Sequence, residues 1–204
     1  KHDPKAPGIA YTGPENHLPD IDKKYYQTLP IKMISYKERL NSITTFIFDI
    51  DGVLTDGVVY PYHGELLRGL YSKDGYAIQY AVKKGYKVFV ITGGNSEDVK
   101  NSLIHLGVTE VHLRSSHKVQ VYEKLKEKYG FRDEEVLYMG DDIPDYQVMQ
   151  IAGMAACPQD AAMEIKHISH YQSPYFGGKG CVRDVIEQTL RVHGDWFLEE
   201  AFVW

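Results

Sequence analysis

Six polar side chains stand where predicted strands end or a predicted helix begins. Two of them, Asp49 and Asp51, close the apolar segment ITTFIFDID. The other four follow two later apolar segments or open a helical one: Thr92, Lys118, Asp141 and Asp142. The carboxyl ends of parallel strands lie along one edge of a sheet, where ligands bind, so we expect these side chains to meet there.

Such a group is suited to bind and transfer a phosphate. Carboxylates placed together repel one another, and a divalent cation relieves that repulsion. Carboxylate oxygens and water are ligands that suit Mg²⁺. Lys118 adds positive charge, so that metal and ammonium can hold the phosphate oxygens while one carboxylate attacks phosphorus. The pattern therefore predicts phosphoryl-transfer chemistry at a Mg²⁺ site.

The elements that would position these groups alternate along the chain. Segments rich in β-branched and aromatic residues predict strands over 43–51, 86–92, 110–113, 136–139 and 154–157. Apolar residues at helical spacing predict helices over 75–85, 99–107, 119–130 and 183–191. A β-hairpin is expected over 58–67, after the first strand. The alternation indicates an α/β fold, with a parallel sheet and helices on both faces.

The composition indicates one globular domain preceded by an arm. Of the 204 residues, 43% are hydrophobic and 25% are charged, which is ordinary for a globular domain. Five of the nine prolines fall within residues 1–32, where hydrophobic periodicity is missing. We therefore expect residues 1–32 to be an extended arm or an upstream extension, and residues 33–204 to form the domain.

Charge, apolar segments and cysteine content narrow the class of protein. A net charge of −5 argues against non-specific nucleic-acid binding. No apolar segment approaches the roughly 18 residues of a membrane helix, and the first residues lack the apolar block of a secretory signal. Cys157 and Cys181 are the only cysteines, so we expect no disulfide framework and a cytoplasmic location.

Four motifs in order carry a resemblance to a known superfamily. Residues 48–57, FDIDGVLTDG, resemble motif I of the haloacid dehalogenase (HAD) phosphatases. Thr92 in VITG is similar to the second motif, Lys118 to the third and GDDIPD at 140–145 to the fourth. From about residue 35 to 196 the chain also resembles the 3-deoxy-D-manno-octulosonate 8-phosphate (KDO 8-phosphate) phosphatase family. The segments that carry this are KDGY at 73–76 and GGKGCVRDV at 177–185.

The resemblance implies a phosphoric monoester hydrolase with a role for each group. Asp49 would be the nucleophile that forms an aspartyl-phosphate. Asp51 would protonate the leaving sugar oxygen and then accept a proton from water. Thr92 would hydrogen-bond the phosphoryl group, and Lys118 would neutralise it. The implied metal ligands are Asp49, Asp51 through its backbone carbonyl, Asp141 and Asp142. The implied substrate-binding residues are Asp51, Lys73, Asp74, Gly75, Gly93, Lys118 and Lys179. Asp145 is expected to cap a helix after Pro144.

The spacing of the motifs leaves no room for a cap domain. The intervals from Asp49 to Thr92 and from Lys118 to Asp141 hold the helices of the sheet and one short hairpin. A capless site is open to water, so an adjoining subunit is expected to close it. The resemblance implies a homotetramer in which the hairpins pack together. A flexible glycine-rich segment, Gly177 to Gly180, is expected to reach a neighbour's site.

The identity of the sugar phosphate stays open at this point. Many KDO 8-phosphate phosphatases carry arginine directly after the Thr-Gly of motif II, where this chain has Gly94. Other family arginines fall where this chain has Gln79 and Ser102. KDO 8-phosphate, an intermediate of lipopolysaccharide synthesis, is the first expectation. The alternatives are a related, sialic-acid-like nonulosonate 9-phosphate, or a catalytically silent interaction subunit.

Overall fold

The computed structural model describes residues 34–63 and 65–203. The predicted arm, residues 1–32, lies outside the described residues. The described strands are β1 (Thr45–Phe48), β2 (Tyr60–Tyr62), β3 (Glu65–Leu67), β4 (Lys87–Ile91), β5 (Glu110–His112), β6 (Val136–Met139), β7 (Met154–Cys157) and β8 (Tyr171–Gln172). The α-helices are α1 (Tyr36–Leu40), α2 (Ser72–Lys83), α3 (Glu97–His105), α4 (Lys118–Tyr129), α5 (Tyr146–Met149), α6 (Met163–Ile168) and α7 (Cys181–His193).

Six strands form one parallel sheet in the order β5-β4-β1-β6-β7-β8. Side chains alternate between the two faces of a strand, and β1 shows the result. Phe46 and Phe48 pack in a core with α1, α2, α3 and α7, whereas Ile47 packs in a second core with α4, α5 and α6. The predicted α/β fold with helices on both faces is confirmed.

The predicted elements agree with the structure where the apolar pattern is long or dense. Strands β6 and β7 have the predicted bounds, and α2, α3, α4 and α7 occur where helical spacing was found. Strand β1 is shorter than expected because the chain leaves the sheet after Phe48. The helices α1, α5 and α6 and the strand β8 were not predicted, since segments of six residues or fewer show no full repeat of a pattern.

The hairpin formed by β2 and β3 is antiparallel, with Tyr60 opposite Leu67. Between β1 and β4 the described residues add the turn that follows β1, this hairpin and α2. Between α4 and β6 they add a single 3₁₀ turn, Asp133–Glu135. The described part of the chain therefore has no cap domain, as predicted. None of its helices has the length and apolar content to cross a membrane.

Candidate active site

The turn after β1 presents two carboxylates in different surroundings. Asp49 is buried at the end of the strand, and its Oδ1 accepts a hydrogen bond of 2.7 Å from the backbone N–H of Ile50. The chain then forms one wide helical turn, Ile50–Leu54, in which Gly52 has a φ of 87°. A Cβ at Gly52 would clash with the carboxylate of Asp141. Glycine here therefore lets the backbone turn sharply and lets a second acidic segment approach it.

Lys118 joins the nucleophile candidate to a further buried carboxylate. Its Nζ lies 2.9 Å from Oδ2 of Asp49 and 2.7 Å from Oδ1 of Asp145. A cation at the first position of a helix is unfavourable with respect to the helix dipole, so the two carboxylates account for its place at the start of α4. Burial alone would lower the pKa of Lys118, but these carboxylates outweigh burial and raise it. The side chain therefore stays an ammonium ion.

The structure corrects the expectation for Asp145. Its side chain is 1% exposed and makes no capping hydrogen bond; Oδ1 accepts from Lys118 and, at 2.7 Å, from the hydroxyl of Tyr138. Asp142 instead caps the preceding 3₁₀ turn, Ile143–Asp145: its Oδ1 accepts from the N–H of Ile143 at 2.8 Å, and its side chain is exposed. Asp141 precedes the 3₁₀ turn Ile143–Asp145, so no helical spacing in the sequence indicated that its carboxylate would lie near that of Asp145.

Asp49, Asp141 and Asp145 form an acidic cluster in which one carboxylate oxygen of each lies within 4.8 Å of the others. Burial first, and then the charges of neighbouring carboxylates, raise the pKa of Asp141 to about 8. Burial and the charge of Asp145 raise the pKa of Asp49 to about 6. Oδ1 of Asp141 and Oδ2 of Asp145 are buried and have no hydrogen-bond partner among the described residues. Such oxygen-only surroundings fit a hard divalent cation.

Asp51 is held by an arginine that was absent from the sequence-based predictions. Arg68 follows β3, and its Nε and Nη2 donate to Oδ1 and Oδ2 of Asp51 at 2.7 and 3.1 Å. The hydroxyl of Thr55 lies 3.3 Å from the same Oδ1. The hairpin thus contributes to the site of its own chain. No local pattern of residues indicates this contact, because it depends on how the hairpin folds back over the sheet.

Thr92 completes the group at the end of β4. It is buried, and its Oγ1 accepts a hydrogen bond of 3.0 Å from the N–H of Gly94. The acidic side chains, Lys118 and Thr92 line one open cavity of about 540 Å³. Its lining includes Asp49, Asp51, Thr92, Gly93, Lys118, Asp141, Asp142 and Asp145. Asp49, Asp51, Thr92, Lys118, Asp141 and Asp142 therefore lie together at one edge of the sheet.

Four of the expected substrate-binding residues lie outside this cavity. Asp74 is buried, and its Oδ1 accepts the N–H of Arg183 at 2.7 Å, so it holds the start of α7. Burial raises its pKa to about 6 against the effect of that bond. Gly75 lies within α2 next to Leu106. Lys73 and Lys179 line a separate cavity of about 280 Å³.

The glycine-rich segment that was expected to reach a neighbour packs on its own chain. The N–H of Gly178 donates to the carbonyl of Val53 at 2.8 Å. A Cβ on Gly177 would clash with the backbone carbonyl of Gly52, and one on Gly178 with the backbone of Thr55. These glycines therefore serve close backbone approach rather than flexibility. The segment supports the turn that carries Asp51.

The chain is similar in sequence to known hydrolases. The sequence profile of the haloacid dehalogenase-like hydrolases matches residues 70–153. The 3-deoxy-D-manno-octulosonate 8-phosphate phosphatase KdsC of Escherichia coli K12 is 34% identical over 164 residues, which are 80% of this chain and 86% of that protein. KdsC of Yersinia pestis is 32% identical over 154 residues, which are 75% of this chain and 82% of that protein.

Solved structures show the same fold. The Yersinia pestis phosphatase superposes with a TM-score of 0.77 at 30% identity, covering 78% of this chain and 87% of that one. The Moraxella catarrhalis phosphatase, solved with a magnesium ion, a phosphate ion and KDO, gives a TM-score of 0.77 at 27% identity, covering 82% and 95%. The chain therefore belongs to the haloacid dehalogenase-like hydrolases and, among them, to the KDO 8-phosphate phosphatase family.

Proposed function

We propose that the chain is a Mg²⁺-dependent phosphatase that hydrolyses KDO 8-phosphate to KDO and phosphate, a step of lipopolysaccharide synthesis in the cytoplasm. The observation that carries the proposal is Lys118 bridging Asp49 and Asp145 beside Asp141, in the cavity that Thr92 also lines. Among its relatives, the Moraxella catarrhalis phosphatase was solved with magnesium, phosphate and KDO.

The metal would be held by the acidic cluster. Asp49, Asp141 and Asp145 supply its ligands, with the backbone carbonyl of Asp51; Asp142 is left out because its carboxylate caps a turn. Bound Mg²⁺ supplies positive charge next to the phosphoryl oxygens. The unpartnered buried oxygens of Asp141 and Asp145 support this assignment, because a buried polar atom without a partner is costly.

The residues of the chain account for both chemical steps. A carboxylate oxygen of Asp49 bonds to phosphorus while the bond from phosphorus to the sugar oxygen breaks, and Asp51 gives that oxygen its proton. Water then bonds to phosphorus, the bond to Asp49 breaks, and the proton from water passes to Asp51. Lys118 and Thr92 hold the phosphoryl oxygens during both steps.

A related nonulosonate 9-phosphate is the second candidate substrate. The observation that favours it is Gly94, which stands where many KDO 8-phosphate phosphatases carry an arginine. Phosphate release should be measured over a panel that contains both sugar-acid phosphates and several neutral sugar phosphates. The wild-type protein with Mg²⁺ is expected to prefer KDO 8-phosphate. Preference for the nonulosonate ester would favour the second candidate, and no release from any ester would contradict the proposal.

The nucleophile and the metal are tested in the same assay. Asp49→Asn keeps the shape of the side chain but removes the attacking carboxylate, and it is expected to lower turnover by several orders of magnitude. A chelator should abolish wild-type activity. Mg²⁺ should restore it, and Ca²⁺ should not, because calcium takes more ligands in a looser geometry. Normal phosphate release by Asp49→Asn, or full activity in excess chelator, would contradict these assignments.

The working form is proposed to be a homotetramer. The hairpin exposes a patch of apolar side chains to solvent: Val58, Tyr60, Tyr62, Leu66 and Leu67. A two-stranded hairpin of this kind is not stable alone in water, and packing copies about a symmetry axis would bury it. Light scattering at micromolar concentration is expected to give the mass of four chains. A fully active monomer would contradict the proposal.

A further inference from the structure

Arg68 donates hydrogen bonds to both carboxylate oxygens of Asp51, the proposed acid and base. The Nε–Oδ1 distance to Asp51 is 2.7 Å and the Nη2–Oδ2 distance is 3.1 Å. The third nitrogen, Nη1, donates to the backbone carbonyl of Leu66 at 3.3 Å, which fixes the guanidinium to the hairpin. The arginine side chain is 6% exposed and that of Asp51 is 33% exposed. A two-bond contact of this kind fixes orientation as well as distance.

The ion pair lies close to the position that a Cβ at residue 94 would take. A Cβ on Gly94 would lie 3.3 Å from Oδ2 of Asp51, 3.3 Å from Oγ1 of Thr92 and 3.8 Å from Nη2 of Arg68. A Cβ there would require the Asp51 carboxylate to shift by a few tenths of an ångström. Gly94 therefore leaves room for the ion pair between Arg68 and Asp51. The cation beside Asp51 comes from the hairpin.

We propose that Arg68 is a positioning residue that aims the Asp51 carboxyl group at the leaving oxygen of the substrate. The inference rests on the proposed function, in which Asp51 transfers the proton. Asp51 sits on a turn and is partly exposed, so without Arg68 its carboxyl group would keep only the long contact with the Thr55 hydroxyl and would sample more rotamers. The guanidinium stays protonated throughout. The proton moves between Asp51 and the sugar oxygen, and Arg68 provides no proton of its own.

This role has a signature that depends on the leaving group. An alkyl sugar oxygen must be protonated as it leaves, whereas the anion of p-nitrophenol leaves without an acid. General acid catalysis contributes about 10²- to 10⁴-fold where it is needed. Misplacing the acid should therefore lower kcat/KM much more for alkyl esters than for an aryl ester. This parameter covers the steps up to formation of the aspartyl-phosphate, in which Asp51 acts as the acid.

The test uses Arg68→Met and Arg68→Lys in the full chain with saturating Mg²⁺. The substrates are KDO 8-phosphate, ribose 5-phosphate, which has no carboxylate, and p-nitrophenyl phosphate. For Arg68→Met we expect kcat/KM to fall by about 100-fold on both alkyl esters, and by no more than about tenfold on the aryl ester. Arg68→Lys should also fall, since an ammonium cannot form the two parallel bonds. Arg132→Met, at an exposed arginine, is the matched control.

Each other pattern overturns the inference. Equal losses on all three esters would mean that Arg68 holds the whole turn. A loss confined to KDO 8-phosphate would mean that it binds the sugar carboxylate, and no loss would mean that it is dispensable. Thermal unfolding checks that each variant folds, and Arg68→Gln replaces the methionine variant if that one does not. Failure of the proposed function is distinct, because the wild-type protein would then hydrolyse none of the esters.

Discussion

Replacing Asp141 by asparagine should remove a pH-dependent loss of stability of the metal-free protein. Burial and neighbouring carboxylates raise the pKa of Asp141 from 3.8 to about 8. Between about pH 4 and pH 8, the folded protein therefore keeps a proton on Asp141 that the unfolded chain has lost. By linkage, the free energy of unfolding then falls as pH rises from about 4 to about 8. Asparagine has no such proton, so this contribution to the pH dependence disappears.

The size of the effect follows from the same pKa difference. Each pH unit between the two pKa values is equivalent to about 1.4 kcal/mol. From the ordinary value of 3.8 to neutral pH the total is at most about 4 kcal/mol. Partial exposure of the carboxyl group and its coupling to Asp49 reduce this figure. The difference in the free energy of unfolding between the asparagine variant and the wild-type protein should therefore grow by about 2 to 4 kcal/mol, in favour of the variant, as pH rises from about 4 to 7.

Urea unfolding of both proteins in chelator, at several pH values, measures this difference directly. Comparing the two proteins cancels the titration of carboxyl groups elsewhere in the chain. Added Mg²⁺ should stabilise the wild-type protein near neutral pH, by about 2.7 kcal/mol at a hundredfold excess over its Kd, and should stabilise Asp141→Asn little. Parallel stability curves for the two proteins, or equal stabilisation by Mg²⁺, would refute the electrostatic reasoning.

Three further changes test other parts of the structure. Gly177→Ala should displace the turn after β1 and lower kcat by about tenfold or more, whereas Gly69→Ala, which has open space around it, should not; equal kcat values would contradict the packing argument. Lys118→Met leaves two carboxylates without their cation, so it should abolish phosphate release and, in urea unfolding of the metal-free protein, cost about 3 kcal/mol or more; retained activity would contradict its role. Leu66→Glu should reduce the mass measured by light scattering, whereas Met163→Glu, at another exposed apolar residue, should leave it unchanged; an unaltered tetramer in both would exclude the hairpin as the interface.

Local sequence patterns are enough to predict the fold class and the edge of the sheet that carries the chemistry. Strand and helix patterns are local, so the dense apolar segments at 136–139 and 154–157 could be assigned from neighbouring residues alone. The placing of Asp49, Thr92 and Lys118 at one edge then followed from the parallel order of the strands.

The membership of the acidic cluster and the contacts that support it depend on the folded structure. The sequence analysis predicts Asp142 as a metal ligand and Asp145 as a helix cap, whereas the structure buries Asp145 against Tyr138 and Lys118 and leaves Asp142 exposed. Arg68 reaches Asp51 across a hairpin, and Gly177 lies against the turn from the far end of the chain. Such contacts join segments that are distant along the chain. Their geometry is fixed by how the folded layers pack, and no local pattern of residue types records it.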